Sequence, residues 1–397
     1  MSERLKDRLQ RYRDKTKAPV SETKSIPAYQ GENSTCEKPN HITWPGWNEA
    51  GFLTMKRQIS VELSLPYAFP ATLAIIVPDF AWLDKMPSPE NLLFFDLETT
   101  GLSGGAGTVA FLAAFGSFVA GAAGNAKLVI TQYLLLDYPG ESDFIDIVVK
   151  EFSASPSPIV ISFNGKSFDS QILKTRCLMN GVKPPVIFHA DLLHPARCLW
   201  KKSLPDCSQT TIEVSVLGLD RTGDVPGSLA PEIWFSFLRN GDNVNQDKLL
   251  SVCDHNARDI SGLADLFLVM GEIAADPIKS QKKYYFDWEV LAILWQKALK
   301  RKSFFHDNDD LHHRYVRIGK HLLENAVSNG SLPAAVILAK EAEWRLKDYK
   351  LALSYTDIAL NVSDLPDSFR EELEKRRRRL EAKAAHSKLT GSTSTSR

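Results

Sequence analysis

Residues 92–101 read Leu92-Leu93-Phe94-Phe95-Asp96-Leu97-Glu98-Thr99-Thr100-Gly101. Its first part, Leu92 to Leu97, is an apolar run broken only by Asp96, of the length expected of a strand buried on both faces of a sheet. Side chains alternate across a strand, so Asp96 and Glu98 point to the same face and form a carboxylate pair. Composition alone produces roughly six acid-x-acid pairs in a chain of this kind, so the pair carries weight through its setting and not its spacing. An ionised carboxylate at the end of a buried strand needs a partner or a metal, because desolvating an unpaired charge is expensive.

Outward from that strand, Val109 to Val119 and Leu128 to Leu136 read as two more strands, and Phe144 to Phe152 as a helix. Pro158-Ile159-Val160-Ile161-Ser162-Phe163 is another buried strand, followed by helical spacing over Phe168 to Met179. Past a loop-rich region, Leu249 to Met270 reads as one long helix. Strands interleaved with helices predict an α/β fold, a mixed sheet flanked by helices with antiparallel hairpins at one side, over residues 89–272. Residues 41–88, punctuated by Pro45, Pro66, Pro70 and Pro78, are expected to be a β-rich lead-in.

Two further acidic motifs fall where such a fold can gather them. Asp169 ends Ser162-Phe163-Asn164-Gly165-Lys166-Ser167-Phe168-Asp169, where a buried strand turns into a helix. Asp254-His255-Asn256-Ala257-Arg258-Asp259 lies on the long helix, with His255 and Asp259 one turn apart on a shared face. Four carboxylates and a histidine suit two hard divalent cations, Mg²⁺ or Mn²⁺, about 4 Å apart, clamping the oxygens of a phosphoryl displacement. The histidine would then take the proton of the attacking water. Taken singly, each aspartate also reads as a helix cap or turn former and His255 as a satisfied, partly buried histidine. Taken together, in chain order and on these elements, they point to the metal chemistry.

Phe95 to Gly101 resembles the first motif of the DEDD exonucleases of the ribonuclease-H-like superfamily, Asn164 to Asp169 the second, and His255 to Asp259 the third. More narrowly, ETTGLSGGAGTVAFL, SFNGKSFDSQIL, ADLLHPARCLWKK and VCDHNARDISGL together resemble the YprB-type ribonuclease-H-like family of predicted exonucleases over roughly residues 45 to 270. The resemblance implies metal-dependent removal of nucleotides from a 3′ end of single-stranded DNA or RNA, with Asp96, Glu98, Asp169 and Asp259 as metal ligands and His255 as the base. The third motif departs from the histidine-bearing branch by spacing its histidine four residues, not five, before the aspartate, as the tyrosine-bearing branch does. Thr99, Thr100 and the glycine-rich loop Gly101 to Gly107 would lie beside the metals, where backbone amides approach the terminal nucleotide, and Thr99, Thr100, Gly101 and Asn164 are the substrate-binding candidates; a tight structural turn is the competing account of the glycines.

Other residues carry weaker readings. Asp191 and His194 could contact substrate, but Asp191 equally reads as a helix N-cap. Arg197, Lys201 and Lys202 form a basic strip that either holds a phosphate backbone or is a solvated face.

Across the 397 residues, 48 Lys+Arg cancel 48 Asp+Glu and 44% are hydrophobic, which excludes wholesale disorder and a protein that coats nucleic acid by bulk charge. Five scattered cysteines without a C-x-x-C pair fit reduced thiols, and the basic start has no apolar core, so a cytoplasmic location without membrane contact is expected. Residues 1–40 read as a basic, disordered arm. Residues 280–386 read as all-helical, with AKEAEWRLKDYKLALSYTDIAL resembling one tetratricopeptide unit, and 387–397 as a disordered Ser/Thr tail. A second functional reading is a nucleic-acid-binding scaffold whose helical domain recruits a protein partner. Retention of all four carboxylates speaks against it, since binding alone gives no reason to crowd like charges.

Overall fold

Seven strands form one sheet in the computed structural model, which describes residues 44–63, 69–83, 86–101, 105, 107–120, 126–153, 158–300, 309–363 and 365–391. The expected basic arm lies outside the described residues. The strands are β1 (Trp47–Gly51), β2 (Thr54–Glu62), β3 (Leu92–Thr99), β4 (Ala110–Ala120), β5 (Ala126–Leu135), β6 (Ile159–Ser162) and β7 (Phe188–Asp191), in the spatial order β1-β2-β5-β4-β3-β6-β7. β3, β4 and β5 make an antiparallel meander, β1 and β2 extend it as a hairpin beside β5, and β6 and β7 run parallel to β3 on its other side.

The helices are α1 (Leu73–Ile76), α2 (Glu141–Glu151), α3 (Asp169–Met179), α4 (Leu193–Trp200), α5 (Gln209–Ile212), α6 (Ala230–Asn240), α7 (Asn243–Ala275), α8 (Pro277–Tyr284), α9 (Trp288–Leu299), α10 (Asp309–Ser328), α11 (Leu332–Glu341), α12 (Tyr349–Leu360) and α13 (Asp367–Gly391). α2 and α3 supply the crossovers that parallel strands require.

The mixed sheet flanked by helices, with a helical C-terminal region, is the architecture expected from the strand and helix patterns along the chain. β3 is buried on both faces. Phe95 packs with Phe115 and Phe152 on one side (ring centroids 5.2 and 5.0 Å), and Phe94 with Phe118 and Phe267 on the other (5.0 and 5.9 Å). Phe267 belongs to α7, so the even-numbered face of β3, which carries Asp96 and Glu98, looks toward that helix. Close approach of α7 depends on Gly116 of β4, where an added Cβ would stand 2.6 Å from Ile260 Cγ2.

Several sequence expectations need adjustment. The lead-in is a β-hairpin only as far as Glu62; α1, whose four residues are all buried, and a 3₁₀ turn over Pro78–Trp82 then lie against the domain. Burial of an unbroken Leu-Ala-Ile-Ile run against α7 overrides its β-branched propensity, and Thr72 Oγ1 donates to Ala274 O at the far end of α7. The region expected to be loop-rich contains β7, α4 and α6. β7 is only four residues, too short for a periodic signal. α7 extends beyond the expected helix at both ends, with Asp242 accepting from Asn245 N as its N-cap. α13 continues past Ser387 to Gly391, so part of the expected tail is helical in its backbone. In the C-terminal region Ala352 and Ala359 are fully buried, which is the close helix packing their small size allows. The four described cysteines, Cys177, Cys198, Cys207 and Cys253, are free. No helix among the described residues is long and apolar enough to cross a membrane.

Candidate active site

Asp96, Glu98, Asp169, His255 and Asp259 line one cleft of about 220 Å³ at the C-terminal end of β3. They come from β3, the start of α3 and the middle of α7, so the three acidic motifs converge. Thr99 and Asn164 also line the cleft. Thr100 and Gly101 serve the turn instead: Thr100 Oγ1 accepts from Val109 N (2.9 Å), and the Thr99 hydroxyl donates to Gly101 O (3.0 Å). A larger cavity of about 350 Å³ lies elsewhere, beside Lys202, Asp287 and Ser331. Its cation is already paired, Lys202 Nζ lying 2.9 Å from Asp287, so the basic strip expected at Arg197–Lys202 is partly neutralised within the protein.

The turn from β6 into α3 is built for close approach. Asn164 adopts left-handed φ of 65°, which Asn tolerates better than most residues. At Gly165 a Cβ would stand 2.8 Å from Asp169 Oδ2 and 2.5 Å from Ser162 Oγ, so a larger residue would displace the carboxylate. Asp191 holds the turn from the neighbouring strand: its carboxylate accepts from Asn164 N (2.8 Å), Lys166 N (3.1 Å) and Leu193 N (3.0 Å). It takes the first amide of α4, whose N-cap is Leu192, and positions the Asp169 turn at once. His194 is exposed.

Asp96 is held by a one-way chain of donors. Arg57 Nε donates to Gln132 Oε1 (2.7 Å), Gln132 Nε2 to Asn256 Oδ1 (2.8 Å), and Asn256 Nδ2 to Asp96 Oδ2 (2.7 Å). Gln132 and Asn256 are fully buried, and Gln132 Nε2 also donates to Cys253 O. Because Asn256 Oδ1 receives an amide proton, its nitrogen faces Asp96.

Around Asp259, Arg221 joins three carboxylates. It donates to Glu213, to Asp224 Oδ2 (2.7 Å) and to Asp259 Oδ1 (2.6 Å). His255 Nδ1 lies 3.0 Å from Asp224 Oδ2 and Nε2 lies 3.2 Å from Asp259 Oδ2. The four-residue spacing thus yields a direct His255–Asp259 contact along α7. Glu213 fits only because Gly262 has no side chain; a Cβ there would fall 1.8 Å from Glu213 Oε1. Gln132, Arg221, Asp224 and Glu213 escape sequence reasoning, since they carry no motif of their own.

Crowding of like charges sets the electrostatics. Burial, then the Asp169 and Asp259 carboxylates, push Asp96 well above the usual carboxylate range. Burial and Asp96 do the same to Glu98, and burial with Glu98 and Asp191 pushes Asp169 up to about 8. For His255 burial opposes the charge, but hydrogen bonds to Asp259 and Asp224 outweigh it and raise the imidazole to about 9. Hard oxygen donors that repel one another are the donor set a divalent cation takes. Glu98, His255 and Asp259 place one ligand atom each within 4.8 Å of one another, so this cluster could hold a metal ion.

Comparison with known proteins agrees with the geometry. A family model of the RNase H superfamily matches residues 93–270. The uncharacterized protein YprB of Bacillus subtilis strain 168 is 31% identical over 322 residues, covering 74% of this chain and 75% of YprB. Among solved structures, the family B DNA polymerase of the archaeon Pyrobaculum calidifontis aligns at 16% identity and a TM-score of 0.32, over 54% of this chain and 30% of the polymerase. At that distance the polymerase carries no functional argument, and the chain spans less than a third of its length. The motifs, the sheet order and the YprB match converge on one conclusion: the chain carries an RNase H superfamily domain over residues 93–270 and belongs to the YprB family.

Proposed function

We propose that the chain is a metal-dependent nuclease that hydrolyses phosphodiester bonds from the 3′ end of single-stranded DNA or RNA. The observation that carries this reading is the convergence of Asp96, Glu98, Asp169 and Asp259 with His255 in one cleft. In this assignment residues 89–272 form the catalytic domain, and the helical region 280–386 guides substrate or docks a partner.

The four carboxylates would hold two Mg²⁺ or Mn²⁺ ions, whose chemistry is to polarise the scissile phosphate and acidify a water. The protein's own groups prepare that cleft. Asn256 fixes one oxygen of Asp96 and keeps the carboxylate in a single orientation. Asp224 takes Nδ1 of His255, which fixes the ring so that Nε2 faces Asp259 and the cleft. Nε2 would then be the atom placed to take a proton from the nucleophile when the ring is neutral. Asn164 and Thr99, on the cleft wall, would meet the terminal nucleotide.

The test is denaturing-gel analysis of 5′-labelled single-stranded DNA and RNA of one sequence, incubated with Mg²⁺ or Mn²⁺ and either wild-type or Asp96→Ala protein. A ladder shortening from the 3′ end, lost in the variant, is expected. Intact substrate under every condition, with folded protein, would refute the reading in favour of a binding scaffold.

A further inference from the structure

The C-terminal helices carry a surface that the proposed chemistry does not use. Glu343 and Trp344 are neighbours on the π-helical turn Ala342–Leu346 that follows α11, yet Glu343 is 1% exposed and Trp344 57%. The Glu343 carboxylate accepts from Arg376 Nη1 (3.0 Å), Arg379 Nη2 (2.9 Å) and Lys383 Nζ (2.9 Å), all on α13. Two of these cations also lie against the exposed indole: Arg379 at 5.9 Å and Lys383 at 4.8 Å from the ring centroid, with Lys347 at 5.8 Å. Lys383 is also 5.7 Å from the Tyr349 ring. Neighbouring Arg345 is paired with Glu341.

One buried carboxylate cannot neutralise four cations, so the patch carries surplus positive charge around a flat aromatic face. A lone exposed tryptophan needs no explanation. A tryptophan ringed by cations does, because it offers both elements by which proteins hold a single strand: an aromatic platform for a base and fixed positive charge for its phosphates. Glu343 fixes Arg379 and Lys383 in place, so these side chains are ordered before any ligand arrives and lose less freedom on binding. The acidic residues of a peptide would satisfy the charge but have no ring to stack on the indole, whereas every nucleotide carries both a phosphate and a base.

We propose that the Trp344 face, with Lys347, Arg379 and Lys383, is a binding surface for single-stranded nucleic acid, on a part of the chain separate from the cleft residues. The choice of nucleic acid over an acidic peptide rests in part on the nuclease reading, and the test separates the two. Full-length Asp96→Asn protein in EDTA is titrated into a fluorescein-labelled oligodeoxythymidylate and followed by anisotropy. Adding Trp344→Ala is expected to weaken binding roughly 5- to 150-fold, the contribution of one stacked base. Adding Lys347→Gln, which leaves Glu343 and its partners intact, should reduce the slope of log affinity on log salt by about 0.7, one phosphate contact. Equal affinity with and without Trp344→Ala would overturn the proposal, as would equal competition by poly-glutamate. Hydrolysis by wild-type protein alongside a Trp344→Ala variant that binds normally sinks this surface and leaves the nuclease standing. Trp344-dependent binding by a protein that never cleaves does the reverse.

Discussion

The crowded carboxylates should make the protein less stable as pH rises, and Asp169→Asn should reverse that cost. Asp169 is raised to about 8 in the folded protein, against an ordinary aspartate value of 3.8 in the unfolded chain. Between those values the folded state holds a proton that the unfolded state has lost. Stability contributed by this group is therefore fully present below about pH 4 and is lost as pH rises toward 8, at about 1.4 kcal/mol per pH unit. From about pH 5.5 to about 7.5 the loss is roughly 3 kcal/mol, which in a chain of 397 residues corresponds to about 3–4 °C in melting temperature. His189, which burial pushes down to about 4, works in the opposite direction as it titrates, but equally in both proteins. The assay is therefore a difference: wild-type and Asp169→Asn protein melted in EDTA across that range. Asparagine keeps the shape, removes the titrating group and relieves Asp96, whose elevation includes repulsion from Asp169. The variant's advantage should grow with pH in EDTA and vanish or invert in saturating Mg²⁺, where only the wild type retains the full ligand set. An advantage that does not change with pH would refute the charge-crowding account of the cleft.

Three further outcomes follow from the contacts around the cleft. Saturating Mg²⁺ at about one hundred times its dissociation constant should stabilise the wild type by about 2.7 kcal/mol, and Asp96→Asn should show much less, both read by calorimetry. Asn256→Leu takes from Gln132 Nε2 one of its two acceptors and removes the donor to Asp96 Oδ2. Urea unfolding should show a loss of about 1–3 kcal/mol, and hydrolysis should fall although no proposed ligand has been altered. Gly262→Ala forces Glu213 away from Arg221 and so loosens the guanidinium on Asp259; overpacking of this kind costs about 1–3 kcal/mol, read in the same unfolding assay, with a loss of activity that exceeds the loss of folded protein.

What the sequence made legible was whatever is local. The run into Asp96 announces a buried strand because four apolar neighbours and alternation suffice, and His255 and Asp259 announce a shared face because one helical turn separates them. The groups that hold these residues were hidden by distance along the chain: Gln132 reaches Asn256 across 124 positions and Arg221 reaches Asp259 across 38. No period or spacing links such pairs, and Arg221 and Asp224 sit in a connection between short helical turns where neither a helix nor a strand pattern operates. Asp191 shows a different limit. Its readings as an N-cap and as a functional residue were set against each other, yet the N-cap of α4 is Leu192, and the Asp191 carboxylate, one position earlier, both takes the first amide of α4 and fixes the turn before Asp169.

The arginine run Arg376–Arg379 bears on the same question from the side of charge. Four consecutive residues on a helix advance by about 100° each, so they sweep almost all of its circumference and cannot share one solvated face. Some must point inward and find an acid or unfold the packing. Arg376 does so, 10% exposed against Glu343, and Arg379 lies one turn on at 46%, while Arg377 turns outward to Asp357 and Glu381. Glu343 is therefore the residue on which the run depends. Glu343→Gln removes the only carboxylate that Arg376, Arg379 and Lys383 share in these contacts, and leaving a buried guanidinium uncompensated costs about 3–5 kcal/mol. Trp344→Ala, one residue along on the exposed side, removes only a surface ring. If the two substitutions destabilised the helical region equally, the division of this turn into an inward anchor and an outward binding face would be wrong. A large loss for Glu343→Gln beside a negligible one for Trp344→Ala would show that the carboxylate anchors this turn and that the indole does not hold the fold.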